Sequence, residues 1–145
     1  MNLSTQKTPA WFWVIALLLL LWNLMGVGSF IFHTFLMQGE TLELLPEKEK
    51  ALYGEYPLWT HIVFAIATLS ALIANILLLI KKKMAINFFI ISLIAIIIQM
   101  FHNLFLTSAV DVYGVEAYIM PILVIIIAFF EVWFSKKLFQ KGILK

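Results

Sequence analysis

The sequence predicts an all-α integral membrane protein in which four helices form an up-down-up-down bundle. Of its 145 residues, 63% are hydrophobic and 12% are charged. A soluble domain has about 45–50% apolar and about 25% charged residues, because its surface faces water. The few charged residues also divide this chain into four long apolar stretches. We therefore treat residues 1–145 as a single transmembrane domain.

Each of the four apolar stretches is long enough to cross a bilayer, which takes roughly 20 mainly apolar residues as a helix. We predict membrane spans at about residues 10–37, 57–80, 84–109 and 117–138. Runs such as residues 94–98 show no alternation of apolar and polar side chains, which excludes membrane β-strands. Only the fourth span contains an acidic residue, Glu131.

The connections between spans predict their arrangement. Residues 81–83 and residues 111–116 are short enough to be little more than turns, so consecutive helices are expected to be antiparallel neighbours. The connection between the first two spans is longer. Within it, Pro46 is a suitable first residue for a helix and Gly54 a suitable stop, so residues 46–53 are predicted to form a short helix on the outer surface.

The distribution of lysines predicts the orientation. Eight of the ten lysines fall on one side of a four-span arrangement: Lys7, Lys81, Lys82, Lys83, Lys136, Lys137, Lys141 and Lys145. The opposite side carries seven acidic residues and two lysines, for a net charge of −5. The positive-inside rule then places both termini in the cytoplasm. We expect the acidic side to lie outside.

Polar residues inside the spans lie on one stripe of each helix. Asn23, Thr68, Asn75, Gln99 and Glu131 belong to these stripes. One interpretation is packing, since small and polar side chains let membrane helices approach and bond to each other. The other interpretation is an ion or substrate pathway along these five residues.

Glu131 has two alternative roles. A carboxylate in hydrocarbon costs roughly 2.5 kcal/mol or more, so it must be protonated, paired or in contact with water. It could extend to the cytoplasmic surface and pair with Lys136 or Lys137. Alternatively, it binds a proton or cation at the inner end of a polar line through the bundle.

The three histidines, His33, His61 and His102, fall in the outer third of the first three spans and are predicted to form an outer polar cluster. Imidazoles can bind zinc, copper or haem, or can titrate during gating. None of the three has a His or Glu partner three or four residues away, as a helical metal site requires. We therefore predict no metal and no cofactor.

Most other chemistry is excluded by composition. The chain has no cysteine, and all ten basic residues are lysines. It contains no phosphate-binding loop, dinucleotide glycine motif, nucleophile elbow or His-Glu-x-x-His motif. We predict that it is not an enzyme and binds no nucleic acid. Its expected partners are the lipid bilayer and a second copy or larger membrane complex, because four short helices are expected to enclose little volume.

Several short motifs resemble those of a family of small bacterial four-span inner-membrane proteins, often labelled sugar transporters. The motifs are Trp22-Asn23-Leu24-Met25-Gly26, Pro57-Leu58-Trp59, Lys81-Lys82-Lys83, Gln99-Met100, Val112-Tyr113-Gly114, Met120-Pro121-Ile122 and Trp133-Phe134-Ser135. The resemblance covers most of the chain and implies a four-span fold without any catalytic residue. It also implies a location in a bacterial inner (plasma) membrane. Sugar carriers of the three-span-repeat type have seven spans or dimers of three, so this chain departs from their pattern.

Two functions remain as expectations. One is a transporter or transport subunit for a small solute or cation, with Glu131 as its ion- or proton-binding carboxylate. The alternative is an accessory or interaction subunit of a membrane complex, without transport activity of its own.

Overall fold

The structure, a computed structural model, describes residues 7–145. Seven α-helices occur in these residues: α1 (Ala10–Ile31), α2 (Glu40–Glu43), α3 (Glu47–Tyr53), α4 (Leu58–Leu79), α5 (Ala85–Phe105), α6 (Ala109–Tyr113) and α7 (Ile119–Gln140). A π-helical turn, Phe32–Leu36, extends α1, and a 3-10 helix, Gly114–Tyr118, precedes α7. The part of the chain described contains no β-strand, so the all-helical prediction is confirmed.

Four helices are long and apolar enough to cross a membrane, as predicted. They are α1 with its π-helical extension, α4, α5 and α7. The helices α4 and α5 have 22 and 21 residues, close to the roughly 20 that a bilayer requires. The turn at residues 81–83 is also as expected, with Lys81 at a positive φ of 62° directly after α4.

The connection between α5 and α7 differs from the prediction. The third span was expected to reach residue 109, but α5 ends at Phe105. Residues 111–116 are not a simple turn, since α6 and the 3-10 helix occupy this region. The physical reason is burial: Ala109 and Ala117 pack against Leu52 of α3, so the segment folds back onto the bundle. Gly114, at a φ of 64°, allows the change of direction between the two short helices.

The connection between α1 and α4 contains the predicted short helix. Helix α3 begins at Glu47, directly after Pro46, and ends before Gly54. Its Leu52 is 5% exposed, which anchors α3 to the bundle. The four-residue helix α2 was not predicted.

Sequential membrane helices pack side by side: α1 against α4, α4 against α5, and α5 against α7. Small side chains allow close approach, as at Ser92, whose hydroxyl donates a 2.7 Å hydrogen bond to the Ala67 carbonyl across the α4–α5 contact. The end of the helices that carries residues 81–83 and 136–145 is named the lysine end. The opposite end, which carries α2, α3 and α6, is named the acidic end.

The lysine end is closed by an apolar cluster. Its buried members are Phe12, Ala16, Leu19, Ala74, Leu78, Ala85, Phe89, Phe134, Leu138 and Leu144. The last residues of the chain complete it, since Leu144 is only 1% exposed. The Lys145 amide donates to the Lys81 carbonyl at 3.0 Å, and the Lys83 amide donates to the Lys145 carbonyl at 3.1 Å. These backbone bonds hold the carboxyl terminus against the α4–α5 turn.

Candidate functional site

A pair of asparagines joins α1 to α4 in the middle of the bundle. The Asn23 side-chain amide donates a 3.1 Å hydrogen bond to the Asn75 side-chain carbonyl. Asn75 in turn donates to the Ala16 backbone carbonyl at 3.2 Å. Both asparagines are buried, with exposures of 4% and 0%. Since hydrocarbon offers polar groups no alternative partner, these bonds fix the register of α1 against α4.

Glu131 of α7 lies beside this pair. Its side chain is 2% exposed, and the Asn23 amide adjoins its carboxyl group. Oxygen Oε1 is fully buried and has no hydrogen-bond partner among residues 7–145. Asn23, Asn75 and Glu131 together are named the buried polar cluster. An unpartnered polar atom in a protein interior is costly, so it requires an explanation.

Glu131 does not pair with the nearby lysines of its own helix. The ion pair found in the described part of the chain joins Lys50 to Glu43, in the connection between α1 and α4 at the acidic end. Helix geometry explains the result, because at 100° per residue Lys136 and Lys137 point about 120–140° away from Glu131. Both lysines are exposed, whereas Glu131 faces the bundle interior.

A cavity of about 540 Å³ occupies the acidic-end half of the bundle. This volume lies within the roughly 300–1,000 Å³ typical of small-molecule sites. The cavity is named the polar cavity, although aromatic and aliphatic side chains form much of its wall. A single chain therefore encloses more space than we expected from four short helices. The enclosed volume therefore gives no reason to expect a dimer, and a homodimer or larger complex stays a prediction.

Three of the five predicted pathway residues, Asn23, Thr68 and Gln99, line the polar cavity. The other two, Asn75 and Glu131, lie outside its lining, in the buried polar cluster. Asn23 belongs to both groups, because it borders the cavity and adjoins Glu131. The structure thus connects the cavity to the carboxyl group through one side chain.

The three histidines have separate partners. His33 Nδ1 lies 2.8 Å from the Tyr53 hydroxyl, and His61 Nδ1 lies 3.3 Å from the Thr34 hydroxyl. Both of these histidines line the polar cavity. His102 is buried between the rings of Tyr56 and Trp59, and its Nδ1 has no partner in the described residues. Within residues 7–145, no group of three His, Cys, Asp or Glu side chains could hold a metal ion.

At the acidic end, hydrogen bonds attach residues 53–56 to the membrane helices and to Ser108, next to the cavity. The Glu55 carboxylate accepts 2.7 Å bonds from both the backbone amide and the hydroxyl of Ser108. These two bonds hold the pKa of Glu55 below its ordinary value. The Tyr56 hydroxyl donates to the Asn103 side chain, and Tyr53 bonds to His33 as described above. We name α3 with residues 54–56 the cover segment.

Sequence reasoning missed several residues of the cavity. Tyr53, Tyr56 and Tyr113 line it, although tyrosines near span ends are ordinarily interpreted as interface anchors. Asn103 also lines it. Asn103 is a polar residue within a predicted span, and this signal could have identified it.

No protein-family model matches the chain, no curated protein is significantly similar to it, and no solved structure matches it. The resemblance to the four-span bacterial family stays a prediction. The features of the chain that bear on its function are therefore the polar cavity and the buried polar cluster.

Proposed function

We propose that this protein is a small membrane transporter or transport subunit. In this proposal, a small solute or cation binds in the polar cavity, and Glu131 is the proton- or cation-binding carboxylate coupled to it. The protein is oriented in a bacterial inner membrane with both termini in the cytoplasm, as an up-down-up-down bundle. The polar cavity then faces the outside, and the apolar cluster of the lysine end closes the cytoplasmic side.

One observation supports this proposal above all: a carboxyl group with an unpartnered oxygen lies one side chain away from a cavity of about 540 Å³. Ionisable groups within membrane helices are costly and most often belong to ion pathways or proton relays. Packing alone needs no carboxyl group at this position. A glutamine of the same shape could supply two hydrogen-bond donors and one acceptor without the cost of a charge.

Proton-coupled flux tests the transport role. Small solutes that raise the thermal stability of the purified protein would be tested for uptake into liposomes with an imposed pH gradient. We expect solute-dependent proton movement for the natural protein and its loss in Glu131→Gln. Asp111→Asn, which changes an exposed acid outside the cavity lining, is the matched control and should retain flux. If no solute is taken up and Glu131→Gln leaves every property unchanged, an accessory role without transport becomes the better interpretation.

Cysteine labelling tests the orientation and the access to the cavity. Because the chain lacks cysteine, single substitutions provide unique thiols. We expect Thr68→Cys and Gln99→Cys to react with a membrane-impermeant thiosulfonate added outside right-side-out vesicles. Leu78→Cys, in the closed lysine end, should not react. Reaction of the cavity positions only from the cytoplasmic side would contradict the proposed orientation.

A further inference from the structure

The buried polar cluster contains a potential negative charge without a cation to balance it. Helix α1 brings Asn23 to Glu131, and Asn75 of α4 bonds to Asn23. Between residues 84 and 135 the chain has no lysine or arginine. An ionised carboxylate that is buried and unpaired is strongly unfavourable. Glu131 must therefore carry a proton, or a bound molecule must supply the positive charge.

The wall of the polar cavity fits a cation better than an anion. Its described lining contains no lysine, and its only carboxylate is Glu116. The other polar groups of the lining are neutral amides and hydroxyls together with two imidazoles. The acidic side of the chain, with a net charge of −5, also attracts cations toward the cavity.

The same wall fits an organic cation better than a metal ion. A metal such as Ca²⁺ takes six to eight oxygen ligands, and no group of three metal-type side chains occurs within residues 7–145. Trp22 and Phe64 instead place aromatic rings in the lining. Such rings stabilise alkylammonium groups by cation–π attraction, and indole is the best of them.

We propose that the polar cavity binds a small amphiphilic organic ammonium ion, and that this ion and a proton exclude each other through Glu131. This inference depends on the proposed function. It adds the chemical class of the ligand and the reason for the buried carboxyl group.

The exchange conserves charge and involves no electron transfer. In the empty cavity, the Glu131 carboxyl is neutral and holds its proton in an O–H bond. When the ammonium ion enters, this O–H bond breaks and the proton leaves through the cavity to the solution at the acidic end. The carboxylate that remains balances the charge of the ammonium ion across the Asn23 side chain. The net charge inside the bundle is the same before and after.

Few other titratable groups approach Glu131. Helix α1 has none, and α4 has only His61, about four turns from Asn75. Helix α5 has only His102, and α7 adds the exposed Lys136 and Lys137, which point away. The titratable residues that line the cavity itself are His33, Tyr53, Tyr56, His61, Tyr113 and Glu116. Histidine is the side-chain type that ordinarily exchanges protons near neutral pH, so these two residues require a control.

Calorimetry on the full chain in nanodiscs tests the inference with three probes that share a benzene ring. They are benzyltrimethylammonium, which has a permanent charge, neutral benzyl alcohol, and anionic benzenesulfonate. We expect the cation to bind and benzenesulfonate not to bind. Titration in buffers with different ionisation enthalpies should show close to one proton released for each cation bound. The dissociation constant of the cation should rise by about tenfold for each unit that the pH falls, once Glu131 is mainly protonated in the free protein.

Substitutions identify the group that releases the proton. Glu131→Gln should weaken cation binding by at least about tenfold, release no proton and leave benzyl alcohol binding unchanged. Glu116→Gln and the pair His33→Gln with His61→Gln change other titratable groups of the lining. Whatever they do to the affinity, the count should stay close to one proton released for each cation bound. If Glu131→Gln does not fold, the proton count of the natural protein decides alone, and a count of zero overturns the inference.

The two proposals fail in different ways. Equal affinity for the cation and benzyl alcohol overturns the ligand class. Cation binding that is unaffected in Glu131→Gln overturns the competition between the ion and a proton at Glu131. Either result leaves the cavity as a site for a small solute. Binding of none of the three probes overturns the ligand class, whereas loss of solute-dependent flux for every solute overturns the transport proposal.

Discussion

The two ends of the helical bundle are built differently. At the lysine end, large apolar side chains such as Phe12, Phe89 and Leu138 interlock and are almost fully buried. At the acidic end, the same helices surround a cavity of about 540 Å³, and hydrogen bonds between side chains hold the cover segment over it. The buried polar cluster lies at the boundary. The fold thus combines a closed end with a hollow end, and the ionisable group lies where they meet.

This difference shows how four helices of similar hydropathy can pack tightly at one end and leave a cavity at the other. Lipid provides no hydrophobic force between helices, so packing and hydrogen bonds decide where they approach. Phenylalanine and leucine fill the space at the lysine end. Polar and aromatic side chains at the acidic end bond to the cover segment and leave the interior open.

The largest expected effect comes from removing a ring from the closed end. Phe89→Ala should lower the free energy of unfolding by roughly 3 kcal/mol, because a tightly packed site cannot close over the missing ring. Phe64→Ala is the matched change at the polar cavity, where empty space already adjoins the ring. It should cost less than half as much. Reversible unfolding in mixed micelles measures both, and equal losses would contradict the contrast between the two ends.

An intermediate effect is expected at the boundary. Asn75→Leu removes the hydrogen bonds to Asn23 and Ala16 and should cost about 1 kcal/mol, the usual scale for polar contacts between membrane helices. Thr68→Val is the control, because the Thr68 hydroxyl bonds only to its own helix, at the Phe64 and Ala65 carbonyls. The same unfolding measurement applies. A cost for Thr68→Val as large as that for Asn75→Leu would show that the asparagine pair has no special role.

The smallest expected effect concerns pH at the cover segment. Hydrogen bonds from Ser108 lower the pKa of Glu55, so the folded state favours the ionised carboxylate. The resulting stabilisation is complete above the unfolded pKa and is lost as pH falls through the folded pKa, which lies below the ordinary value. As the pH falls, the protection of the Ser108 amide against hydrogen exchange should therefore decrease more than the protection of amides at the lysine end.

Glu55→Gln provides the control for this pH effect. A neutral amide side chain cannot gain or lose a proton in this range, so protection of Ser108 relative to the lysine end should no longer change with acid pH. An unchanged acid response in Glu55→Gln would assign the effect to another group.

The four membrane helices could be predicted because hydropathy over about 20 residues is a local property of the sequence. The short helix α3 could also be predicted, from Pro46 and Gly54 at its boundaries. The region from Leu106 to Tyr118 could not, because Ala109 and Ala117 are buried by Leu52, which is more than 50 residues away in the chain. Short helices that depend on such distant contacts leave no periodic signal of their own.

The candidate site could be predicted only in part, for a similar reason. A carboxyl group inside a membrane span marks Glu131 from sequence alone. Whether it extends to Lys136 or faces inward depends on the rotation of α7, which is set by packing against α5. The link from the polar cavity through Asn23 to Glu131 joins residues 108 positions apart, and no local pattern contains it.

The central claim is that Glu131 holds a proton that a ligand in the polar cavity displaces. Infrared difference spectroscopy of the protein in nanodiscs tests it directly by observing the C=O stretch of a protonated carboxylic acid. We predict that benzyltrimethylammonium removes this band in the natural protein and that its binding removes no such band in Glu131→Gln. A carboxylic acid band that binding of the cation leaves unaltered would contradict it.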